Sequence, residues 1–250
     1  MSIIQSLWIG TALPALQQLS IRSFLAHGHA YHLYTYGTLA GVPDGTTVRN
    51  ASEILPSDSV FCYPQGFGEG STSAFSNLFR YRLIFERGGW WVDTDVVCLR
   101  RLEFDQAFVF STQRDSDLPY SCATSVFKAP AGAPFLEYCA DVVKGRNKST
   151  LQWGEIGPIL FDEAVNRFAL GEYRVPVEVF NPIDYEDFRA ITEPGFDMSR
   201  IARSHAVHLW NQQWKSQKID PAAEPPVDSL YGTLWQMYGR SPATEPLVDH

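Results

Sequence analysis

The chain has 250 residues, 45% of them hydrophobic, which suits one large α/β domain with small insertions. With 20 basic against 28 acidic side chains the net charge is -8, which argues against nucleic acid as a partner, because phosphate backbones are bound by basic surfaces. No apolar run reaches the roughly eighteen residues a membrane span needs, and the N-terminus has no basic leader segment, so neither a transmembrane helix nor a signal peptide is expected.

Residues 3–9 predict a buried strand ending at Gly10, 13–26 an amphipathic helix, and 31–36 a second strand. This spacing implies a βαβ unit in a mainly parallel sheet. Ligands of such sheets bind beyond the carboxyl ends of the strands, where Trp8, Ile9 and Gly10 stand. By spacing alone, Trp8 reads as a core residue. His27, His29 and His32 span a helix end and a strand with no acid or cysteine nearby, so they read as surface or loop histidines rather than a metal site. Residues 41–47 are turn-rich. Val48, Ile54 and Leu55 read as short pieces of sheet edge or helix. The glycine-rich run 63–73 lacks the Lys-Ser/Thr of a P-loop, which disfavours a nucleoside triphosphatase.

The most informative stretch runs from Phe75 to Leu99. Ser71, Thr72 and Ser73 are candidate N-caps. Phe75, Leu78, Phe79, Leu83 and Phe85 mark a core-facing helix. Asn77 and Arg80, three apart, share one face of it. Gly88 and Gly89 stop the helix, and Trp90, Trp91 and Val92 fit a short buried strand. If the chain stays extended, Asp93 and Asp95 project to the same side with Thr94 turned away. Two adjacent carboxylates at the end of an apolar strand repel each other unless a cation lies between them. Oxygen ligands of this kind suit Mn2+ or Mg2+.

Further on, 107–110 and 121–128 read as strands, 133–143 as a helix, and 159–170 as another helix after the run WGEIGP. Residues 204–211, SHAVHLWN, form a strand-like run with a polar end, and 230–238 a short helix. The four cysteines, at 62, 98, 122 and 139, form no Cys-x-x-Cys pair, so structural zinc is not expected. They read as reduced thiols, Cys98 and Cys122 being buried, and this points to the cytoplasm, with peripheral attachment at the inner membrane face as a variant. The expected organisation is a domain over 1–215 and a proline-containing extension over 216–250, whose last residues are expected to be loose.

The segment 76–95 resembles the signature of glycosyltransferase family thirty-two, the DXD-containing sugar transferases, and is similar to the catalytic domain of the large clostridial glucosylating toxins. The shared pattern is Ser-Asp, Arg-Tyr, a hydrophobic helix, Gly-Gly, an aromatic and Asp-x-Asp. Here it falls on Ser76, Asn77, Arg80, Tyr81, Gly88, Gly89, Trp91, Asp93 and Asp95. The resemblance implies an α/β fold of the GT-A type, with a mainly parallel central sheet flanked by helices. It implies a nucleotide-sugar donor, UDP-linked in preference to GDP-linked, bound through Trp8, Ile9, Gly10, Ser76, Asn77, Arg80, Asp93, Asp95 and Trp210. Trp8 would stack on the base. Asp93, Asp95 and His208, the last from a His-x-Trp match that includes Trp210 and Asn211, would hold the metal. Arg80, Asn77 and Asp93 would carry catalysis. Asn77 departs from the family's Asp, which contacts donor-sugar hydroxyls; Asn keeps the hydrogen bonding and loses the charge. The Gly-Pro segment would line the acceptor side, with Trp153 and Glu155 as sugar contacts.

The implied activity is a metal-dependent hexosyltransferase that retains configuration, acting on a carbohydrate, polysaccharide or glycolipid acceptor, with a protein acceptor as a further alternative. Two other readings compete. One is an inactive, transferase-derived protein that binds glycan or nucleotide. The other is a hydrolase using Asp93 or Asp95 as acid, base or nucleophile.

Overall fold

The computed structural model describes residues 3–114 and 121–239. The chain opens with strand β1, Ile3–Leu7, helix α1, Ala15–Ala26, and strand β2, Ala30–Thr35, followed by β3, Thr46–Asn50. These three strands are parallel, as the βαβ spacing predicts. Val48 lies in the edge strand β3, while Ile54 and Leu55 follow a short 3-10 turn, Ala51–Glu53.

Helix α2, Ser73–Arg87, leads into β4, Gly89–Val92, which pairs parallel to β1. The two glycines make this junction. Gly88 has φ +64°, and a Cβ there would meet the Ala131 nitrogen at 2.7 Å. That combination of left-handed backbone and close approach excludes any other residue without a shift. The neighbouring strand holds the corner, because the buried Gln5 amide donates to the Gly88 carbonyl at 2.8 Å.

Strand β5, Val96–Cys98, leaves the main sheet. Then come β6, Val109–Gln113, β7, Ser121–Ala129, α3, Pro134–Gly145, and α4, Leu160–Arg167. The strand expected at 107–110 starts two residues later and runs to Gln113. Strand β8, Ala206–His208, and helices α5, Asn211–Ser216, and α6, Leu230–Tyr238, follow. The main sheet has the order β3-β2-β1-β4-β7-β6, with β7 antiparallel to β4 and β6 antiparallel to β7. A separate two-stranded sheet pairs β5 with β8, antiparallel.

The apolar side chains divide among three clusters. One packs α2, α3 and α4 on one face of the sheet, around Phe79, Trp91, Phe127 and Phe161. A second packs α1 on the opposite face, around Ile4, Phe24, Trp90 and Val126. Trp90 and Trp91 serve opposite faces because successive strand residues alternate. The third joins Leu16 and Leu19 of α1 to Val97, Val207, Trp214, Leu230 and Leu234. A boundary at 215 would therefore cut through a shared core, since Leu230, Tyr231 and Leu234 are buried with residues of the first 215. Residues 240–250, where the loose tail was expected, lie outside the described residues.

All four cysteines are free, and Cys98, Cys122 and Cys139 are buried. Of the histidines expected at the surface or in loops, His29 lies in a loop but is not at the surface. It is buried at the α1–β2 turn, and its Nε2 accepts the Leu102 N–H at 3.0 Å. A neutral imidazole can satisfy that buried donor, so the side chain turns inward.

Candidate active site

The site lies beyond the carboxyl ends of β1 and β4. Extended geometry was expected to place the two acids together, but the strand ends at Val92. Asp93, Thr94 and Asp95 form a turn, closed by the Val96 N–H donating to the Asp93 carbonyl at 3.1 Å. The turn lets β5 leave the main sheet for β8. It still brings the two carboxylates together, because a tight reversal folds both side chains toward the cleft.

Each acid is pinned separately. Asp93 is tied to the main sheet by its own N–H, which donates to the Ser125 carbonyl at 2.8 Å. Its carboxylate takes the Trp91 Nε1–H at 2.8 Å and lies 3.1 Å from Arg80 Nη1. Arg80 is only 4% exposed in its side chain. It donates to the Ser76 carbonyl and hydroxyl at 3.1 Å and to the Thr124 carbonyl at 2.7 Å, and it stacks on Trp91 with its guanidinium carbon 4.8 Å from the ring centre. These bonds use four of its five N–H donors and orient Asp93 toward the cleft. Burial pushes the Asp93 carboxyl above the ordinary carboxylate value, an effect that Arg80 opposes and Asp95 reinforces.

Asp95 is held from the other side. The Asn211 N–H donates to one carboxylate oxygen at 3.0 Å, and His208 Nε2 stands 3.3 Å from the other. Burial raises this carboxyl too, but the charge and hydrogen bond of His208 and the Asn211 N–H outweigh it and hold it below the ordinary value. The support continues outward. Strand β5 has β8 on one edge, and on the other the α1 serines: Ser20 Oγ donates to the Val96 carbonyl at 2.5 Å, and the Cys98 N–H donates to Ser23 Oγ at 2.8 Å. Trp210 takes the left-handed conformation, φ +56°, between β8 and α5. The reversal stacks its ring 3.9 Å from that of His208 and aims the α5 N-terminus at Asp95.

Asp93, Asp95 and His208 thus offer ligand atoms that all lie within 4.8 Å of one another. The donor set, two carboxylates and an imidazole, could hold a divalent metal ion. His208 Nδ1 is buried without a hydrogen-bond partner, so no second contact fixes the ring's role.

These groups lie in the wall of a cleft of about 760 Å3, within the usual range for small-ligand sites. Of the residues expected to bind the donor, Trp8, Ile9, Ser76, Asn77, Arg80, Asp93, Asp95 and Trp210 line it, as does His208. Gly10 is exposed at the end of β1 and is not part of the wall. The indole of Trp8 donates to the Ala12 carbonyl at 3.0 Å and is packed in part against the second core cluster. Asn77 is buried beside Gly157, where an added Cβ would meet its amide nitrogen at 3.1 Å. Trp153 lines the cleft. Glu155 does not: its carboxylate accepts the Gln152 N–H at 3.1 Å and faces Arg146 at 3.6 Å. It closes the turn at Gly154. Sequence reading did not reach Tyr63, Thr124, Ser125, Tyr185 or Lys215, which also line the cleft. Thr124 and Ser125 hold Arg80 and Asp93 through backbone carbonyls, for which no side-chain signal exists.

No family model matches the sequence. The chain is 27% identical to human alpha-1,4-N-acetylglucosaminyltransferase, over 62% of this chain and 48% of that protein, so it spans about half the length of the curated relative it matches. Among solved structures, the PaToxG glycosyltransferase superposes with a TM-score of 0.50 at 15% identity, covering 68% of this chain and 70% of that one. The glycosyltransferase GlyE of Streptococcus pneumoniae gives 0.52 at 12% identity, covering 96% of this chain and 61% of that one. At such identities the likeness speaks to the fold, which is the GT-A type expected: a mostly parallel sheet flanked by helices.

Proposed function

We propose that this chain is a metal-dependent glycosyltransferase that moves a hexose from a nucleotide sugar, UDP-linked in preference to GDP-linked, to a carbohydrate or glycolipid acceptor with retention of configuration. The observation that carries the reading is the convergence of Asp93, Asp95 and His208 on one wall of the cleft. The glycosyltransferase neighbours of the same fold and the curated relative give it support.

Mn2+ or Mg2+ held by Asp95, Asp93 and His208 would supply Lewis-acid charge to the departing diphosphate. The chain's own groups do the rest by position. Asn211 and His208 keep Asp95 ionised and aimed into the cleft, while Arg80 and Trp91 fix Asp93 against the charge of its neighbour. Trp8 offers a ring to the base, and Asn77 an amide to donor hydroxyls. Among the described residues lining this cleft, the carboxylates are Asp93 and Asp95. Both come from one short turn, so they cannot flank a sugar ring as the two acids of a glycoside hydrolase do. The resemblance to retaining transferases points to front-face attack. The acceptor oxygen bonds to the anomeric carbon as the bond to the diphosphate breaks, and the acceptor proton passes to the departing phosphate oxygen. A polysaccharide-building role in the cytoplasm or at the membrane face belongs to the same reading. No helix among the described residues is long and apolar enough to cross a membrane.

The deciding experiment is calorimetric titration with UDP, with and without Mn2+, followed by turnover assays across UDP- and GDP-sugars. Binding that needs the cation, and turnover of one donor, are the expected results. Binding without turnover of any donor would favour the inactive, transferase-derived alternative that Asn77 suggests.

A further inference from the structure

The cleft does not end at its acid wall. A second recess of about 580 Å3 adjoins it, and Phe67, Ser71, Thr72, Gln212 and Lys215 line both, so one groove runs outward from the site. Its rim is aromatic and open. Phe67 is 40% and Trp153 39% exposed. Their rings meet edge to face at 4.9 Å, and Tyr63 packs on Trp153 at 5.0 Å. Glycine sets this arrangement. Gly68, at φ +80°, lies so close to Trp153 that a Cβ would fall 2.3 Å from the ring. The rings are therefore placed before any ligand arrives, which removes much of the ordering cost of binding.

Beyond the rim the lining turns polar, with Glu69, Gln212 and Lys215. Within the recess, Phe67 is the one large apolar side chain a hydrocarbon tail would meet. A pyranose fits both parts: its C–H face lies on an aromatic ring, and its hydroxyls reach hydrogen-bonding groups alongside. We infer that Phe67 and Trp153 form a platform for the acceptor and that the adjoining recess holds its next unit, so the acceptor is a saccharide of at least two sugars. The inference takes its direction from the transferase reading above, because the groove leads to the proposed donor site.

The test uses the whole chain, with saturation-transfer NMR and calorimetry. The probes are the methyl glycosides of glucose, galactose and N-acetylglucosamine and the disaccharides cellobiose, lactose and chitobiose, each with and without UDP and Mn2+. At least one disaccharide should bind tenfold or more tightly than its single-sugar counterpart. Trp153→Ala and Phe67→Ala should each weaken that binding fivefold or more, Trp153→Phe should restore most of it, and UDP affinity should not change in any of the three. Equal affinity for one and two sugars, no binding by any probe, or undiminished binding in the alanine variants overturns the inference. Failure of the unaltered chain to bind UDP with Mn2+ counts against the transferase reading alone, and the saccharide titrations still decide the platform.

Discussion

The acid wall of the cleft and its aromatic rim are built by opposite means. At the wall, Asp93 and Asp95 are fixed by directional bonds from Arg80, Trp91, His208 and Asn211, drawn from three separate stretches of chain. At the rim, Phe67 and Trp153 are fixed by shape, through the glycine at 68 and ring contacts with Tyr63. Placing like charges side by side needs partners at set distances, whereas an aromatic face needs only a surface that does not move. Substitutions at the wall should therefore propagate, and those at the rim should stay local.

The largest break is Asp95→Ala. It removes the carboxylate held ready for a cation and should weaken Mn2+-dependent UDP binding by about 100-fold or more, with the fold retained. UDP affinity that is equal with and without the substitution would remove the cation from this part of the cleft.

Next comes Arg80→Met. It strands the Asp93 carboxylate beside Asp95, with Trp91 as its remaining side-chain donor. Breaking a buried ion pair costs about 3–5 kcal/mol, and since Asp93 keeps 25% exposure, a loss near 2 kcal/mol is expected. Urea unfolding measures it. Arg80→Lys should not restore the loss, because an ammonium cannot reach Ser76, Thr124 and Asp93 together.

A smaller effect is expected from Ser23→Ala, on the far side of β5. The buried Cys98 N–H loses its acceptor, for about 1–2 kcal/mol. The urea midpoint should fall at constant slope, and UDP affinity should fall with it if β5 carries Asp95 as described.

The smallest effect lies away from both regions. Asp162 is pulled upward by burial, but the Cys122 N–H and Arg174 outweigh this and hold its carboxyl below the ordinary value. With the folded value depressed, its contribution to stability is complete above the unfolded carboxylate range and is lost as pH falls through the depressed value. Asp162→Asn should flatten the acid limb of a stability–pH curve and leave UDP binding untouched. An identical acid limb would remove Asp162 from the balance.

Much of the helix-to-strand passage could be read from residues 73–92, because helix periodicity, two glycines and a pair of tryptophans all mark local structure. The chemical character of the acid pair could be read as well. Its geometry could not, since nothing local distinguishes an extended Asp-Thr-Asp from a turn; the course of β5 toward β8 decides that. Ser20 and Ser23 look like the polar face of an amphipathic helix, yet both are buried and serve β5. Glu155 reads in sequence as a sugar contact, yet its carboxylate is directed to the Gln152 N–H and Arg146, outside the residues lining the cleft. Residues whose role depends on contacts far along the chain carry no signature in their own neighbourhood.

The tie between Asp95 and Asn211 spans 116 residues. A ribosome releases the chain from its N-terminus, so the acid turn emerges long before the histidine and the amide that restrain it. Throughout that interval the Asp95 carboxylate lacks both of its restraints, while Arg80 and Trp91 have already emerged to meet Asp93. The centre takes its final form only when the closing strand and the helix after it have been synthesised and have docked.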